Sequence, residues 1–546
     1  MLPRPETLRP RRRVGSANPA LVFLAGAAAV AGMLIAVMVR GRPASPAGHT
    51  LTLFAAAGLR APVDRILAEY EREYGVHVDV QYGGSNTLLN QLQIDEYGHV
   101  DLFLAADQDY TDQAVDLGLA RETLPVGHQH PLLAVPAANP KSIGGFADLL
   151  RKDVSVAMCN PEQAAAGRAV RALLESRRDA SGGNLWEALE AAVRSRGVFK
   201  PTVSEVANDV AIGAADVGIL WDTTVAGPGY RNKLTGMEIP ELAGEAELIS
   251  LAVLESSPNP TLALRLGRYV TARDRGLPTF AAFGVRTVEG DAWVEQPTLN
   301  FFCGAVNRRA IEDIVQAFQQ REGVIVNTVY DGCGILTGRM KAIEAQRPDL
   351  GFPDVYMACD VYYLENVREW FQEAANISEV EIVIAVPKGS QLVRQLDDLV
   401  KPGVRVAVGE PQYCTIGALT RRLLESEGLY ERLKQKQADH AEVVVEKSSS
   451  SLLVPDVVTG HVDAAVAYIT DVLANQDAVD IVRIESPYNR AVQPFSVARS
   501  SDNKYLVRRL FQAIASSREE FEEVGFRFRL DDETLAGGGT GGSVVP

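Results

Sequence analysis

Short apolar runs alternate with amphipathic stretches from about residue 50 to residue 530. "HTLTLFAA" and "VHVDVQY" carry the alternation of strands. Between them Val63, Ile66, Leu67 and Tyr70 recur at helical spacing over 62–74. The runs "VDLFLAA", "LLAVPA", "VSVAM" and "DVGILW" predict four further strands. Such alternation implies α/β layers around a mostly parallel sheet. Ligands of such sheets sit beyond the strand ends, where loops meet helix starts.

The whole pattern occurs twice. "LFAAAGLRAPVDRILAEYEREYGVHVDVQYGGSNTLLNQL" matches "FFCGAVNRRAIEDIVQAFQQREGVIVNTVYDGCGILTGRM" through strand, helix, strand, turn and helix. Phe54 to Phe302 and Tyr82 to Tyr330 are both steps of 248 residues. Asp101 to Asp354, Pro161 to Pro411 and Gly213 to Gly460 are steps of 253, 250 and 247. A period near 250 is too long for a solenoid and denotes two whole domains. They are expected over 49–290 and 298–530, joined near 289–300, and 546 residues do exceed what one core organises.

The ends differ from this body. Residues 1–19 are basic, and 20–39 hold no charge, enough for a helix to span a bilayer. "ASPA" at 44–47 offers a signal cleavage site, but a retained anchor over 20–40 is the expectation. With the basic side cytoplasmic, the protein crosses the inner membrane once and keeps its bulk on the extracytoplasmic, periplasmic side. Residues 531–546 read as a Gly-rich flexible tail.

Composition narrows the function. Hydrophobic content of 47% and charged content of 23% belong to a folded globular chain. A net charge of −16 excludes a broad phosphate-neutralising surface, so no nucleic acid partner is expected. A small anion stays open, because N–H groups at a helix start bind anions without side-chain charge. No GxxxxGK[ST], HExxH or GxSxG motif occurs, and "HQH" at 128–130 reads as a surface loop. The expectation is a non-enzyme without a cofactor.

Four stretches together, "LTLFAAAGLRAPVDRI", "YGGSNTLLNQL", "VDLFLAADQDYTDQAVDLGL" and "NPEQAAAGRAVRALLE", resemble the periplasmic molybdate-binding proteins of ABC importers. The resemblance covers 51–285 and returns more weakly over 299–528. It implies two tandem domains of the type II periplasmic-binding-protein kind, each of two α/β lobes around a central cleft, after one N-terminal transmembrane helix. It also implies a small oxyanion ligand such as molybdate or tungstate and an ABC permease on another chain. The alternative is a non-transport sensor or scaffold with degenerate binding domains. Carried over by residue, the family's second-loop serine is Ser85, followed by Asn86, whereas its first-loop serine is replaced by Gly58. Ala166 and Val203 stand where backbone N–H donors are expected, and Trp221 replaces a tyrosine. In the second copy Tyr468 keeps that tyrosine, and Ser450 falls in the run that supplies hinge-side donors. Against these roles stand two plainer ones: Ser85 as a helix N-cap and Trp221 as core. Asp107 and Asp360 are expected to cap the helices that follow them.

Five cysteines add a further feature. Cys303 follows the first strand of the second copy, and Cys333 takes the place of Ser85. Cys359 ends the third strand, and Cys414 lies in "EPQYCTIGA". Cys159 is the first copy's single cysteine, and no CxxC pair exists. Three readings stay open: packing thiols, disulfides, or a soft-metal or thiophilic site built from Cys303, Cys333, Cys359 and Cys414.

Overall fold

The architecture comes from a computed structural model, which describes residues 50–94, 99–179, 182–346 and 351–530. Among them no helix is long and apolar enough to cross a membrane. The segments expected to be the basic tip, the anchor over 20–40 and the tail lie outside the described residues.

Strand Thr50–Ala56 leads through a 3-10 turn into helix Arg60–Tyr74, and His77–Gly83 returns parallel to the first strand. Val63, Ile66, Leu67 and Tyr70 are buried, at the spacing that predicts the helix. The helix stops at Gly75, whose left-handed φ of 67° lets its N–H reach Glu71 O. Its counterpart Arg308–Glu322 stops identically at Gly323, with φ 66°.

Residues 50–287 form two lobes. One sheet has the order Arg286–Thr287, Ala120–Gln129, Glu247–Leu254, Leu102–Ala105, Thr50–Ala56, His77–Gly83. The other has the order Val198–Lys200, Val156–Cys159, Val217–Trp221, Pro131–Pro136, Leu234–Met237. The expectation of a mostly parallel sheet is corrected here. Thr50–Ala56 is parallel to both neighbours, but Glu247–Leu254 is antiparallel to both of its own. The chain leaves this lobe after Ala120–Gln129 and comes back as Glu247–Leu254, so these two strands run in opposite senses. Pro125 and Gly127 interrupt the alternation of the outgoing strand and hide it from a periodicity reading. "HQH" is likewise no surface loop: its first two residues end that strand, and Gln129 between the histidines is fully buried.

Residues 298–528 repeat the plan with one change. The 17-residue strand Phe371–Pro387 passes unbroken through the hinge and unites both lobes in one ten-stranded sheet. In the first domain the equivalent path breaks at His130, before Pro131–Pro136. Ala134-Val135-Pro136 matches Ala385-Val386-Pro387, which sets Pro131 against Ile382. The Ile382 N–H donates to Asn489 O at 2.6 Å. Proline has no N–H to give.

The domains touch through the lobes that contain their first strands. Glu322 is buried there and accepts from Arg509 Nε at 2.6 Å and from Arg268 at 3.0 Å. Burial opposes its charge, yet Arg509 and then Arg268 hold its carboxyl below the usual range. Asp291 accepts from Tyr505 N and Leu506 N at 3.0 and 2.8 Å, so the join between the domains caps helix Lys504–Ala515 of the second.

Candidate functional site

In the first domain four chain segments meet between the lobes. The turn Ala57–Leu59 and helix Ser85–Leu92 come from one lobe, helices Ala165–Glu175 and Val203–Ala211 from the other. They surround a cavity of ≈ 20 Å³ whose wall includes Gly58, Ser85, Ala166, Val203 and Trp221. A single water needs roughly 10–15 Å³, so the space suits only a small body. No side chain caps the first three segments; Thr87 N–H donates to Gln163 O across the cleft at 3.4 Å, and the N–H groups of Ser85, Asn86, Ala165 and Ala166 are the ones at the helix starts that a ligand can use. No carboxylate side chain lines the wall.

The cleft is closed. A Cβ on Gly84 would lie 2.2 Å from Gln163 O and 2.9 Å from Pro201 O, both across the cleft. Asn86 Nδ2 donates to Glu162 O at 2.7 Å, and Ser204 Oγ to Ala57 O at 3.2 Å. Arg168, from the far lobe, pairs with Asp107 and reaches Asp109 at 2.6 Å. Burial pushes the Asp107 carboxyl up, and Arg168 opposes that shift.

Most first-domain residues singled out in the sequence gather here. Ser85 is buried, and its Oγ accepts from Ala106 N at 3.2 Å. Its helix has Gly84 at the N-cap, so Ser85 is no cap. Gly58 is required by proximity, since a Cβ there would sit 2.7 Å from Val203 Cγ2. Trp221 is both core and wall, 2% exposed. Asn86 is not on the wall; its amide stitches the lobes together. Asp107 and Asp360 cap their helices, accepting from Asp109 N and Tyr362 N at 3.0 Å each.

The second cleft keeps the backbone and changes the groups. Cys333 Sγ accepts from Cys359 N at 3.0 Å, repeating the Ser85–Ala106 bond, and lies 2.8 Å from Cys359 Sγ. All five cysteines are free and buried. Cys303 turns to Gly304 O at 3.6 Å and Cys414 to Lys447 O at 3.4 Å, so the four do not share one centre. Among the described residues no three His, Cys, Asp or Glu side chains are grouped to hold a metal ion. Burial opposes the Cys333 thiolate, but the Cys359 thiol and N–H, Thr415 and Tyr356 hold its pKa below the usual thiol range. Burial pushes Cys359 and Cys303 well up and Cys414 to about 11. Tyr468 is buried with its hydroxyl unpartnered, and Ser450 is buried as well.

The profile of the bacterial extracellular solute-binding proteins matches this chain twice, over 51–286 and 299–527. The chain belongs to that family. The molybdate-binding protein of Mycobacterium tuberculosis is 31% identical over 254 residues, 44% of this chain and 90% of that protein. A putative ABC transporter substrate-binding lipoprotein of Bacillus subtilis is 29% identical over 179 residues, covering 32% of this chain and 63% of its own. The periplasmic molybdate-binding protein of Azotobacter vinelandii aligns at 18% identity and a TM-score of 0.37, over 44% of this chain and 98% of that one.

Three residues of the first solute-binding domain escape a sequence reading. Gln129, on the wall, donates to Ala106 O at 2.7 Å and accepts from Thr223 Oγ1 at 2.7 Å. Nothing in the periodicity marks it, because it ends an interrupted strand. Thr202 went unread although T-V-S-E carries the signature of a helix cap: its Oγ1 accepts from Glu205 N at 3.3 Å. Thr224 carries a buried hydroxyl without a partner, 3.8 Å from where a Gly58 Cβ would stand.

Proposed function

We propose that this solute-binding protein captures a small, fully ionised tetrahedral oxyanion, molybdate or tungstate, in its first domain. It delivers the ion to an ABC permease on another chain. The observation that carries the reading is the closed ≈ 20 Å³ cavity, where uncapped helix starts and the buried Ser85 hydroxyl converge without a carboxylate. N–H and O–H donors suit an ion whose oxygens all accept. A protonated oxyanion such as hydrogen phosphate needs an acceptor for its proton, and the wall's side chains offer no carboxylate for it. The name of the Mycobacterium tuberculosis relative supports the same ligand class. Residues 20–40 tether the protein to the inner membrane, with both domains outside.

Calorimetry of the full chain with molybdate, tungstate, sulfate and phosphate tests this. Tight binding of the first two and weak or no binding of phosphate is expected. No heat from any of the four sinks the reading.

A further inference from the structure

The second domain carries a group set that the oxyanion reading leaves unused. Cys333, the first residue of helix Cys333–Gln346, and Cys359, two residues past strand Val355–Met357, place two thiols 2.8 Å apart. Around them stand the buried hydroxyls of Tyr356, Thr415 and Tyr468, all at most 2% exposed; those of Tyr356 and Thr415 lie by the Cys333 sulfur, and that of Tyr468 has no hydrogen-bond partner. Thr415 opens helix Thr415–Ser426 from the far lobe, so the pair faces across the cleft. Gly304 leaves room for both sulfurs: a Cβ there would lie 2.3 Å from Cys359 Sγ and 2.8 Å from Cys333 Sγ.

The charge of this cleft differs as well. "WDTTV" at 221–225 aligns with "YITDV" at 468–472, so Asp471 takes the place of the Thr224 hydroxyl. Burial pushes the Asp471 carboxyl up, and Arg309 and then Ser450, the counterpart of the first domain's wall residue Val203, oppose that shift. The Arg309 guanidinium, which donates to Thr470 O at 3.4 Å, offsets the charge of this carboxyl, and the carboxyl accepts from a neutral O–H. Two thiols, a ring of hydroxyls and a carboxyl describe a ligand that is uncharged, rich in O–H and thiophilic.

We propose that the second domain binds the neutral trivalent oxyacid of arsenic or antimony through Cys333 and Cys359. The reaction is a condensation. Two bonds from the central atom to oxygen break and two to sulfur form, and each thiol proton leaves with a hydroxide as water. The central atom stays trivalent, no electron moves, and one O–H remains for the surrounding hydroxyls. The 2.8 Å spacing of the two sulfurs lets both bond to one central atom. This proposal is independent of the oxyanion reading of the first domain.

The test is titration of the full-length reduced protein with arsenite and, separately, antimonite, Zn²⁺ and molybdate, followed by alkylation in denaturant and mass measurement. One equivalent of arsenite is expected to protect two of the five thiols. Cys333→Ser and Cys359→Ser each weaken arsenite binding about 100-fold, the loss of a linked second thiol. Cys159→Ser leaves it unchanged, and molybdate heat is the same in all four proteins. Antimonite protecting the same two thiols supports the shared chemistry. All five thiols alkylating in the presence of both oxyacids overturns the proposal, whatever the variants do to folding. So does wild-type arsenite affinity in Cys333→Ser, or Zn²⁺ protecting the pair more tightly than arsenite.

Discussion

In the first domain the Ser85 hydroxyl accepts the Ala106 N–H at 3.2 Å; in the second the Cys333 sulfur accepts the Cys359 N–H at 3.0 Å. The hydrogen bond and its place in the fold are kept while the ligand-facing atom changes. Gly84 and Gly332 tell the same story, since a Cβ on either would run into a carbonyl across the cleft, at 2.2 and 2.7 Å. What differs is a set of side chains around the two clefts. Serine becomes cysteine, a threonine becomes Asp471, and Arg168, which ties the first cleft shut through Asp107 and Asp109, becomes Ala418. Backbone geometry and ligand chemistry are separable in this fold, because backbone donors build the cavity and a few side chains select its occupant.

The comparison requires that the two domains be distinguishable, and their interface is where to separate them. Glu322→Gln leaves Arg268 and Arg509 buried without their carboxylate, which costs about 3–5 kcal/mol. Calorimetric melting is expected to change from one transition to two. A single unshifted transition would show that the cluster does not join the domains.

Closure is the next lever. Gly84→Ala forces a Cβ onto two backbone carbonyls and is expected to weaken oxyanion binding at least about 100-fold, roughly 3 kcal/mol. Gly332→Ala, the same change in the other cleft, leaves that affinity untouched. Equal losses in both variants would end the assignment of the oxyanion to one cleft.

Charge separates the clefts by pH. Asp471 is pushed from 3.8 up to about 6, chiefly by burial. The folded state therefore holds a proton that the unfolded chain has lost, and stability falls as pH rises from about 4 to about 6. Asp471→Asn is expected to stabilise by up to about 2 kcal/mol above that window, the gain vanishing as pH falls toward 4. Thr224→Asn, in the first domain, gives no pH-dependent difference. Urea denaturation across pH 4–8 reads both.

The smallest effect is at the latch. Arg168→Ala removes the ion pairs to Asp107 and Asp109 and is expected to weaken oxyanion binding about tenfold, with faster release. Ala418→Arg in the second domain leaves oxyanion binding unchanged. Stopped-flow displacement measures the release rate in each.

Much of this was legible in the chain. The helix face Val63, Ile66, Leu67 and Tyr70, the repeat, and the convergence of Gly58, Ser85, Ala166, Val203 and Trp221 all follow from local pattern or position. The hinge strands were not. Pro125 and Gly127 interrupt one of them, and strand direction depends on where the chain crosses between lobes, which no local pattern records. Gln129 and Thr224 were missed for the same reason: their roles are set by neighbours about 20 and about 165 residues away along the chain. The four second-domain cysteines were placed near one cleft, but only side-chain geometry separates the Cys333–Cys359 pair from Cys303 and Cys414.

The central claim is that the first cleft alone holds the oxyanion, and it rests most directly on Ser85. Titration of the full chain with molybdate should give one equivalent, weakened about tenfold or more by Ser85→Ala and unaffected by Cys333→Ser. Two equivalents, or full affinity in Ser85→Ala, would contradict it.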